Sequence, residues 1–390
     1  MPLLLKQLQY RNIIAVILMP LLGIFLAFRT PLKKETAIWT ISYYFLTGVG
    51  ITAGSHSSYS SFSHIPNRLP GYHRLWSHQS YKAGSPLQLY LATAGAACFQ
   101  GSILEWCRNH RTHHRYVDTD LDPHSIEKGV WHSHMGWLLT RPSNPPPKVN
   151  VSDLSSNRIV KWQDNHFALI AISFGLFLPA LVAGYFWGDW KGGIVYAGIL
   201  RIFFFQQATF CVNSLAHWLG EQKYDDKHSP RDHLFTALVT FGEGYHNFHH
   251  EFPGDYRNGI LWHQYDPSKW FIYTWEQMGL ARDLGRYEGN VVQKGVYQQE
   301  VKKLEKVRES LDWGTPVEDL QRMSWEEFDG AVNGDGGRKL IAIEGFVYDV
   351  ETFVDVHPGG RTVMSVFFGK DATAAFNGGV YARMSSKPVC

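Results

Sequence analysis

Uncharged apolar runs dominate the first half of the chain and are spaced as hairpins. Residues 12–28 (NIIAVILMPLLGIFLAF) carry no charge between Arg11 and Arg29, and at 1.5 Å per residue such a run just reaches across a hydrocarbon core about 30 Å thick. A second run, 36–54, follows a short basic loop, so the two predict a transmembrane hairpin. Phe28-Arg29 makes a poor cleavage site and another apolar run follows at once, which argues against a signal peptide. Residues 165–188, flanked by Asp164 and Asp189, and residues 192–219, interrupted by Arg201, predict a second hairpin. An arginine within a span is costly unless it snorkels or finds a partner, which places Arg201 near an interface or facing the bundle. The charge-free stretch 83–104 is long enough to cross, but a crossing there would hold two groups of histidines on opposite faces of the bilayer. It is read as a re-entrant or protein-buried helix.

The pattern changes after residue 280. Residues 281–309 are rich in charge, as in a solvated helical connector, and Trp313-Gly314-Thr315-Pro316 marks a boundary. Beyond it the alternation of LIAIEGFVYDV, residues 340–350, predicts a strand in a small soluble module. The organisation read from the chain is a membrane domain 1–280, a charged helical linker 281–315 and a second domain 316–390. The basic residues of 108–161 share a side with both termini, and that side is assigned to the cytosol. Lys plus Arg number 37 against 35 Asp plus Glu, a net charge of +2 that offers nucleic acid no basic surface. The four cysteines form no CxxC pair, which excludes a disulfide framework and zinc fingers. A mean hydropathy of −0.21 averages the apolar half with the polar half and conceals the spans.

The chemistry lies in the histidines. Nineteen are present, and ten of the chain's polar residues form four boxes: His73 and His78; His110, His113 and His114; Asn213 and His217; His246, His249 and His250. Random placement of 19 histidines makes even one HxxHH match unexpected, and there are two. On a helix, positions i, i+3 and i+4 share a face while the adjacent pair diverges by about 100°, so one helix can serve two neighbouring metals. His73 and His78 do not share an ideal helical face, which predicts a helix end or irregular turn. Imidazoles suit iron, zinc, copper or nickel, and so many exceed the needs of one four-coordinate zinc, so two metals are implied. Two irons at the cytosolic mouth of a membrane bundle suit oxygen activation, because iron cycles between oxidation states. Asn213, one turn before His217, is placed to reach a metal directly or through water. His56, His64, His124, His132, His134, His166, His228, His233 and His263 are read as ordinary core or surface residues.

The segments GYHRLWSH, EWCRNHRTHHRY, QATFCVNSLAH and FGEGYHNFHHEFP resemble the histidine boxes of membrane acyl-CoA delta-9 desaturases, the stearoyl-CoA desaturase family, and the carboxy-terminal module resembles that of its fungal members. The resemblance covers most of residues 10–380. It implies an all-α membrane protein with four transmembrane helices, a cytosolic helical cap holding a di-iron site, a kinked acyl tunnel, and a small α+β cytochrome b5-like domain. By the resemblance, His73, His78, His110, His114 and His249 hold one iron, and His113, His217, His246 and His250 hold the second, with Asn213 acting through a water. Arg108 matches a position that contacts the acyl-CoA, and its neighbour Asn109 stands where animal members carry Asp. The implied reaction is oxygen-dependent insertion of a cis double bond into stearoyl- or palmitoyl-CoA. Electrons come from NADH through cytochrome b5 reductase and cytochrome b5, in a multi-pass endoplasmic reticulum protein with both termini cytosolic.

His357-Pro358-Gly359-Gly360 resembles the first haem-ligand loop of cytochrome b5, which holds haem b between two imidazoles. No histidine follows His357. Alignment puts Arg383, permanently protonated, at the second-ligand place, and Met384 is disfavoured as a substitute. With the chain stopping at Cys390, the domain is expected to be incomplete and to bind haem poorly, so that a separate cytochrome b5 is needed. A second departure is residues 55–71 (SHSSYSSFSHIPNRLPG), where the family runs straight through. This segment is expected to be retained intron sequence rather than a genuine loop, able to displace His73 and His78. Two rival functions keep the same residues: an acyl hydroxylase, and a non-catalytic membrane protein that only binds metal or acyl chains.

Overall fold

The computed structural model describes residues 8–53, 73–142 and 144–378. The chain divides into two compact units, Met1–Arg308 and Glu309–Cys390. The 55–71 segment and the positions of Arg383 and Met384 lie outside the described residues.

The first unit is helical. Helix α1 (Tyr10–Ala27) is followed by α2 (Lys34–Thr52), the short α3 (Ser85–Ala96), α4 (Ile103–Tyr116), and then α5 (Phe167–Trp187) and α6 (Trp190–Trp218). Among the described residues three helices, α1, α5 and α6, are long and apolar enough to cross a membrane, and the protein is a membrane protein with several candidate spans. Their outward side chains include Leu21, Phe177 and Phe186, each more than half exposed, as on helices that face lipid. The second expected span, 36–54, forms α2. Its 19 residues suffice in length, but Lys34, Glu35 and a series of hydroxyls dilute its apolar character. Those hydroxyls and rings work inside the bundle. Thr36 donates to Asp189 and accepts from Trp187 Nε1 at 2.8 Å, Trp39 Nε1 donates to the Pro179 carbonyl at 3.1 Å, and Tyr43 to the Phe174 carbonyl at 2.5 Å. Helix α2 therefore runs antiparallel to α5.

Both α1 and α5 carry a wide-turned π stretch, Ile14–Leu18 and Ser173–Phe177, just ahead of Pro20 and Pro179. Proline brings no N–H and crowds the carbonyl four residues back, and a wider turn relieves both. Arg201 faces the bundle, one of the two sequence expectations for it. It is buried, its Nε bonds the Ala197 carbonyl at 2.8 Å, Nη1 the Thr47 hydroxyl at 2.8 Å, and Nη2 the Ala97 and Gly175 carbonyls at 2.9 and 3.1 Å. Its guanidinium lies 4.9 Å from the Tyr43 ring centroid.

Helix α3 occupies the ambiguous apolar stretch, and its 12 residues span only about 18 Å, too short to cross. It packs so closely on α2 that a Cβ on Gly50 would stand 2.4 Å from the Gly95 nitrogen. Helix α4 starts where Ser102 accepts the Glu105 N–H, an N-cap that satisfies one free backbone donor. The His73 N–H bonds the Ile51 carbonyl at 3.0 Å, tying the first box to the end of α2, and His217 sits in the last turn of α6. The turn-rich segment after α6 leads to the one-and-a-half-turn α7 (His246–Glu251) and to α8 (Pro267–Gln277), capped by Asp266. Strands β1 (Lys82–Ala83) and β2 (Ala281–Arg282) pair antiparallel. The charged connector is mainly α9 (Gly289–Ser310). Its Val292 is buried with Phe248 and Phe252, and Lys302 and Lys306 pair with Asp226, so residues 281–308 pack with the first unit.

The second unit opens with α10 (Trp325–Asn333), whose Ser324 and Glu327 form a reciprocal capping box. The expected single strand 340–350 is a hairpin instead. Strands β3 (Leu340–Ile343) and β4 (Phe346–Asp349) pair antiparallel with Ile343 opposite Phe346. Glu344 and Gly345 between them both take positive φ, 50° and 83°, the conformation a two-residue hairpin turn requires. Ile341, Val350 and Val354 pack with Met364 of α11 (Gly360–Ser365) in one apolar cluster and Phe328, Leu340 and Ala342 form another, and α12 (Thr373–Phe376) follows.

Candidate metal centre

Four irregular or helical segments bring nine histidines together at one end of the bundle. His73, His78, His110 and His249 form one group and His113, His217, His246 and His250 another, with the candidate ligand atoms of each group within 4.8 Å of one another. His114 joins the first through its Nε2, 3.0 Å from that of His249. The helical spacing explains the division. On α4, His110 and His114, four apart, turn to the first group while His113 turns to the second; on α7, His246 and His250 turn to the second and His249 to the first.

The rings approach through their Nε2 atoms: His73 to His249 at 3.0 Å, His78 to His110 at 2.8 Å, His217 to His246 at 3.1 Å, and His246 to His250 at 3.2 Å. Burial, and then the neighbouring imidazoles, push His78, His110, His114, His246, His249 and His250 well below the ordinary histidine range. Neutral imidazoles with converging nitrogens are a donor set for transition metals. His113 Nε2, buried without a hydrogen-bond partner among the described residues, fits the same reading. The residues present thus suit two metal ions side by side.

Carboxylates that the sequence motifs do not announce stand behind the rings. Glu243 Oε2 lies 2.6 Å from His73 Nδ1, and its other oxygen takes Arg74. Burial works against its charge, but His73 and Arg74 hold Glu243 below its ordinary value. Asp122 contacts His113 Nδ1 at 3.0 Å; burial opposes its ionisation too, yet His113 brings it down to about 2. Ser229 links His217 to Asp118. His124, taken from the sequence as an ordinary histidine, is buried beside Asp122 with its ring centroid 4.3 Å from that of His113. His134, by contrast, only bridges Ser214 and Gln207.

An apolar cavity meets the histidines. Ile51, Trp106, Phe205, Ala208, Val212 and Val239 line it together with His73, His110, His113, Asn213 and His246. The Trp106 ring stacks on His110 with centroids 4.9 Å apart. Asn213 is thus at the site, on the cavity wall beside the second group. Arg108 and Asn109 lie on α4 next to His110, Arg108 exposed and Asn109 half-buried.

Residues 67–272 match the family Fatty acid desaturase and residues 324–388 the family Cytochrome b5-like Heme/Steroid binding domain. A probable acyl-CoA desaturase of Schizosaccharomyces pombe is 46% identical over 378 residues, 96% of this chain and 74% of the relative. Acyl-CoA desaturase 1 of Saccharomyces cerevisiae is 43% identical over 380 residues, 96% of this chain and 71% of the relative. The chain belongs to the acyl-CoA desaturase family. Human stearoyl-CoA desaturase is 37% identical over 282 residues, 70% of this chain and 73% of the relative. All nine histidines of this desaturase's centre, with Asn213, fall inside the Fatty acid desaturase match. His357 falls inside the cytochrome b5-like match, at the head of α11, with its Nδ1 accepting the Gly359 N–H at 3.1 Å.

Proposed function

We propose that this desaturase inserts a cis double bond at the ninth carbon of saturated acyl-CoA, stearoyl- or palmitoyl-CoA, using molecular oxygen at the endoplasmic reticulum membrane. The observation that carries this reading is the largely apolar cavity that meets both histidine groups: methylenes placed between Phe205, Val212 and Val239 would lie against His110, His113 and His246. In this reading α1, α2, α5 and α6 are the four spans, α2 included because it runs alongside α5. The histidine end is the cytosolic cap, both termini are cytosolic, and the chain divides functionally into 1–280, a linker 281–315 and 316–390.

His73, His78, His110, His114 and His249 hold one iron, and His113, His217, His246 and His250 the second, with Asn213 acting through a water. Bound there, two irons supply oxygen activation and the electron transfers by which two hydrogens leave adjacent carbons. The contribution of the chain itself is placement. Methylenes differ little in reactivity, so the cavity walls must choose which pair faces the centre, and holding reactants in one geometry is worth several kcal/mol of barrier, roughly 7–11 in favourable cases. Trp106 fixes the His110 ring by stacking, and the apolar walls keep bulk water out. Arg108, with Asn109 beside it, offers a fixed positive charge to the carbonyl or phosphates of the CoA end.

Electrons arrive from NADH through cytochrome b5 reductase and a separate cytochrome b5. Residues 316–390 contain one histidine, His357, and so supply one of the two axial imidazoles that a b5-type haem b needs. The residues present do not fit that group. The test is the fatty-acid profile of desaturase-deficient yeast expressing this chain at confirmed full length. Delta-9 monoenes are expected. Hydroxy fatty acids would move the assignment to a hydroxylase, and neither product would leave a protein that only binds metal or acyl chains.

A further inference from the structure

Three of the nine clustered histidines meet acidic or acid-linked groups, and each does so through Nδ1. The donors around those acids decide where the protons lie. Glu243 Oε2 stands 2.6 Å from His73 Nδ1 and accepts Asn258 Nδ2–H at 2.8 Å, while Oε1 accepts Arg74 Nε–H at 3.2 Å and Nη2–H at 2.9 Å. Arg74 is held in turn by Asp266 Oδ2 at 2.8 Å and the Tyr256 carbonyl at 3.0 Å. Asp122, with both oxygens 3.0 Å from His113 Nδ1, also accepts the backbone N–H of Asp118 at 3.2 Å and of His124 at 3.1 Å. Each carboxylate is surrounded by donors and has no proton of its own to offer, so the proton between Asp122 and His113 is carried by the imidazole; Glu243 meets His73 Nδ1 as a 2.6 Å charge contact outside hydrogen-bond geometry, and with its own oxygens filled by donors it leaves that proton to the ring as well. The third case works through a hydroxyl. Ser229 gives its single hydroxyl proton to Asp118 Oδ1 at 2.5 Å, so its oxygen must accept from His217 Nδ1, 2.7 Å away.

A neutral imidazole protonated at Nδ1 presents its lone pair at Nε2. That atom faces His249 in His73 and His246 in His217, and it is buried without a hydrogen-bond partner among the described residues in His113. We propose that Glu243 and Asp122, with Asp118 acting through Ser229, are positioning residues that lock the tautomer and aim of His73, His113 and His217 toward the two metals. Glu243 serves the first group, and Asp122 and the Asp118–Ser229 pair serve the second. The inference rests on the di-metal reading. Removing such outer partners typically weakens metal binding by about 10–100-fold.

The experiment is anaerobic titration of the metal-free, detergent-purified full chain with ferrous ion, in competition with a chromophoric chelator. Wild type is compared with Glu243→Gln, Asp122→Asn and Ser229→Ala. Wild type takes up two ions. Glu243→Gln weakens one of the two binding steps by about 10–100-fold and leaves the other unchanged. Asp122→Asn and Ser229→Ala weaken the opposite step. After oxidation each variant shows the electron paramagnetic signal of an isolated ferric ion in place of a spin-coupled pair. A general loss of packing would instead weaken both steps together, and that result overturns the inference, as do two steps at wild-type affinity in all three variants. Should Glu243→Gln fail to fold once Arg74 loses half its charge compensation, the other two variants decide. A third ion bound by wild type and lost in Asp122→Asn would make Asp122 a ligand with His124 and overturn its positioning role. A wild type that takes up no metal removes the di-metal reading as well.

Discussion

A single imidazole can serve as a core group, a surface group or a ligand, and its neighbours decide which. His78, His110, His114, His246, His249 and His250 are held well below the ordinary value of 6.5 by burial and by their neighbours, and without metal this has a thermodynamic consequence. Unfolding releases each ring to take up a proton below about pH 6.5, while the folded chain keeps it neutral. Stability of the metal-free protein is therefore at its full value above that pH and falls as pH drops, by up to about 1.4 kcal/mol per pH unit for each ring that titrates. Metal-free protein in detergent should melt several degrees lower at pH 5.5 than at pH 7.5, and an unchanged melting temperature would count against burial of the six neutral rings. The histidines themselves were legible because paired HxxHH boxes are improbable by chance. Glu243 and Asp122 were not. A lone acid has no periodicity, and Glu243 meets its ring across 170 positions of sequence, a pairing that only the folded chain creates. His124 escaped for the same reason: nothing in its local sequence marks it as a neighbour of His113.

Elements were legible to the degree that one physical demand governed them. Unbroken apolar runs mark α1 and α5, because a lipid-facing helix has to be apolar over most of its surface, while the run of α6 is interrupted by Arg201. Helix α2 is less apolar because a helix that turns one face into the bundle can carry hydroxyls there that bond its neighbours, and Thr36, Tyr43 and Thr47 do so. The strand expected over residues 340–350 failed at Glu344-Gly345, where alternation continues through a turn that only the positive φ of both residues reveals. Arg201 is the element-scale test. Its head group joins α6 to α2, to the end of α3 and to α5 through one hydroxyl and carbonyls. Arg201→Met leaves those acceptors without a donor where water is scarce, and each unsatisfied buried group costs about 1–3 kcal/mol. The variant should lose roughly 3 kcal/mol or more in total, read as a large fall in melting temperature in detergent. Arg201→Lys, with fewer directions to donate in, should fall between the two. A Met variant as stable as wild type would show that the bundle does not depend on this junction.

At the scale of the whole molecule, the two units raise the question of which one delivers electrons. The first unit holds a donor set suited to two metals and an apolar cavity that meets it, and both depend on residues within Met1–Arg308. The second unit keeps the capping box, the hairpin and the HPGG turn of a cytochrome b5-like fold, so its packing instructions survive. A low-spin b haem needs two imidazoles on opposite faces, and residues 316–390 supply one, His357. Two outcomes follow. Purified chain incubated with haemin should lack the sharp reduced-state bands of a bis-imidazole haem. His357→Ala should leave delta-9 monoene formation in yeast unchanged as long as the host's free cytochrome b5 is present, whereas deleting that host protein should abolish it in both versions. If His357→Ala alone stops desaturation while the chain accumulates normally, electrons pass through the appended unit after all, and an axial partner other than histidine must complete its haem site.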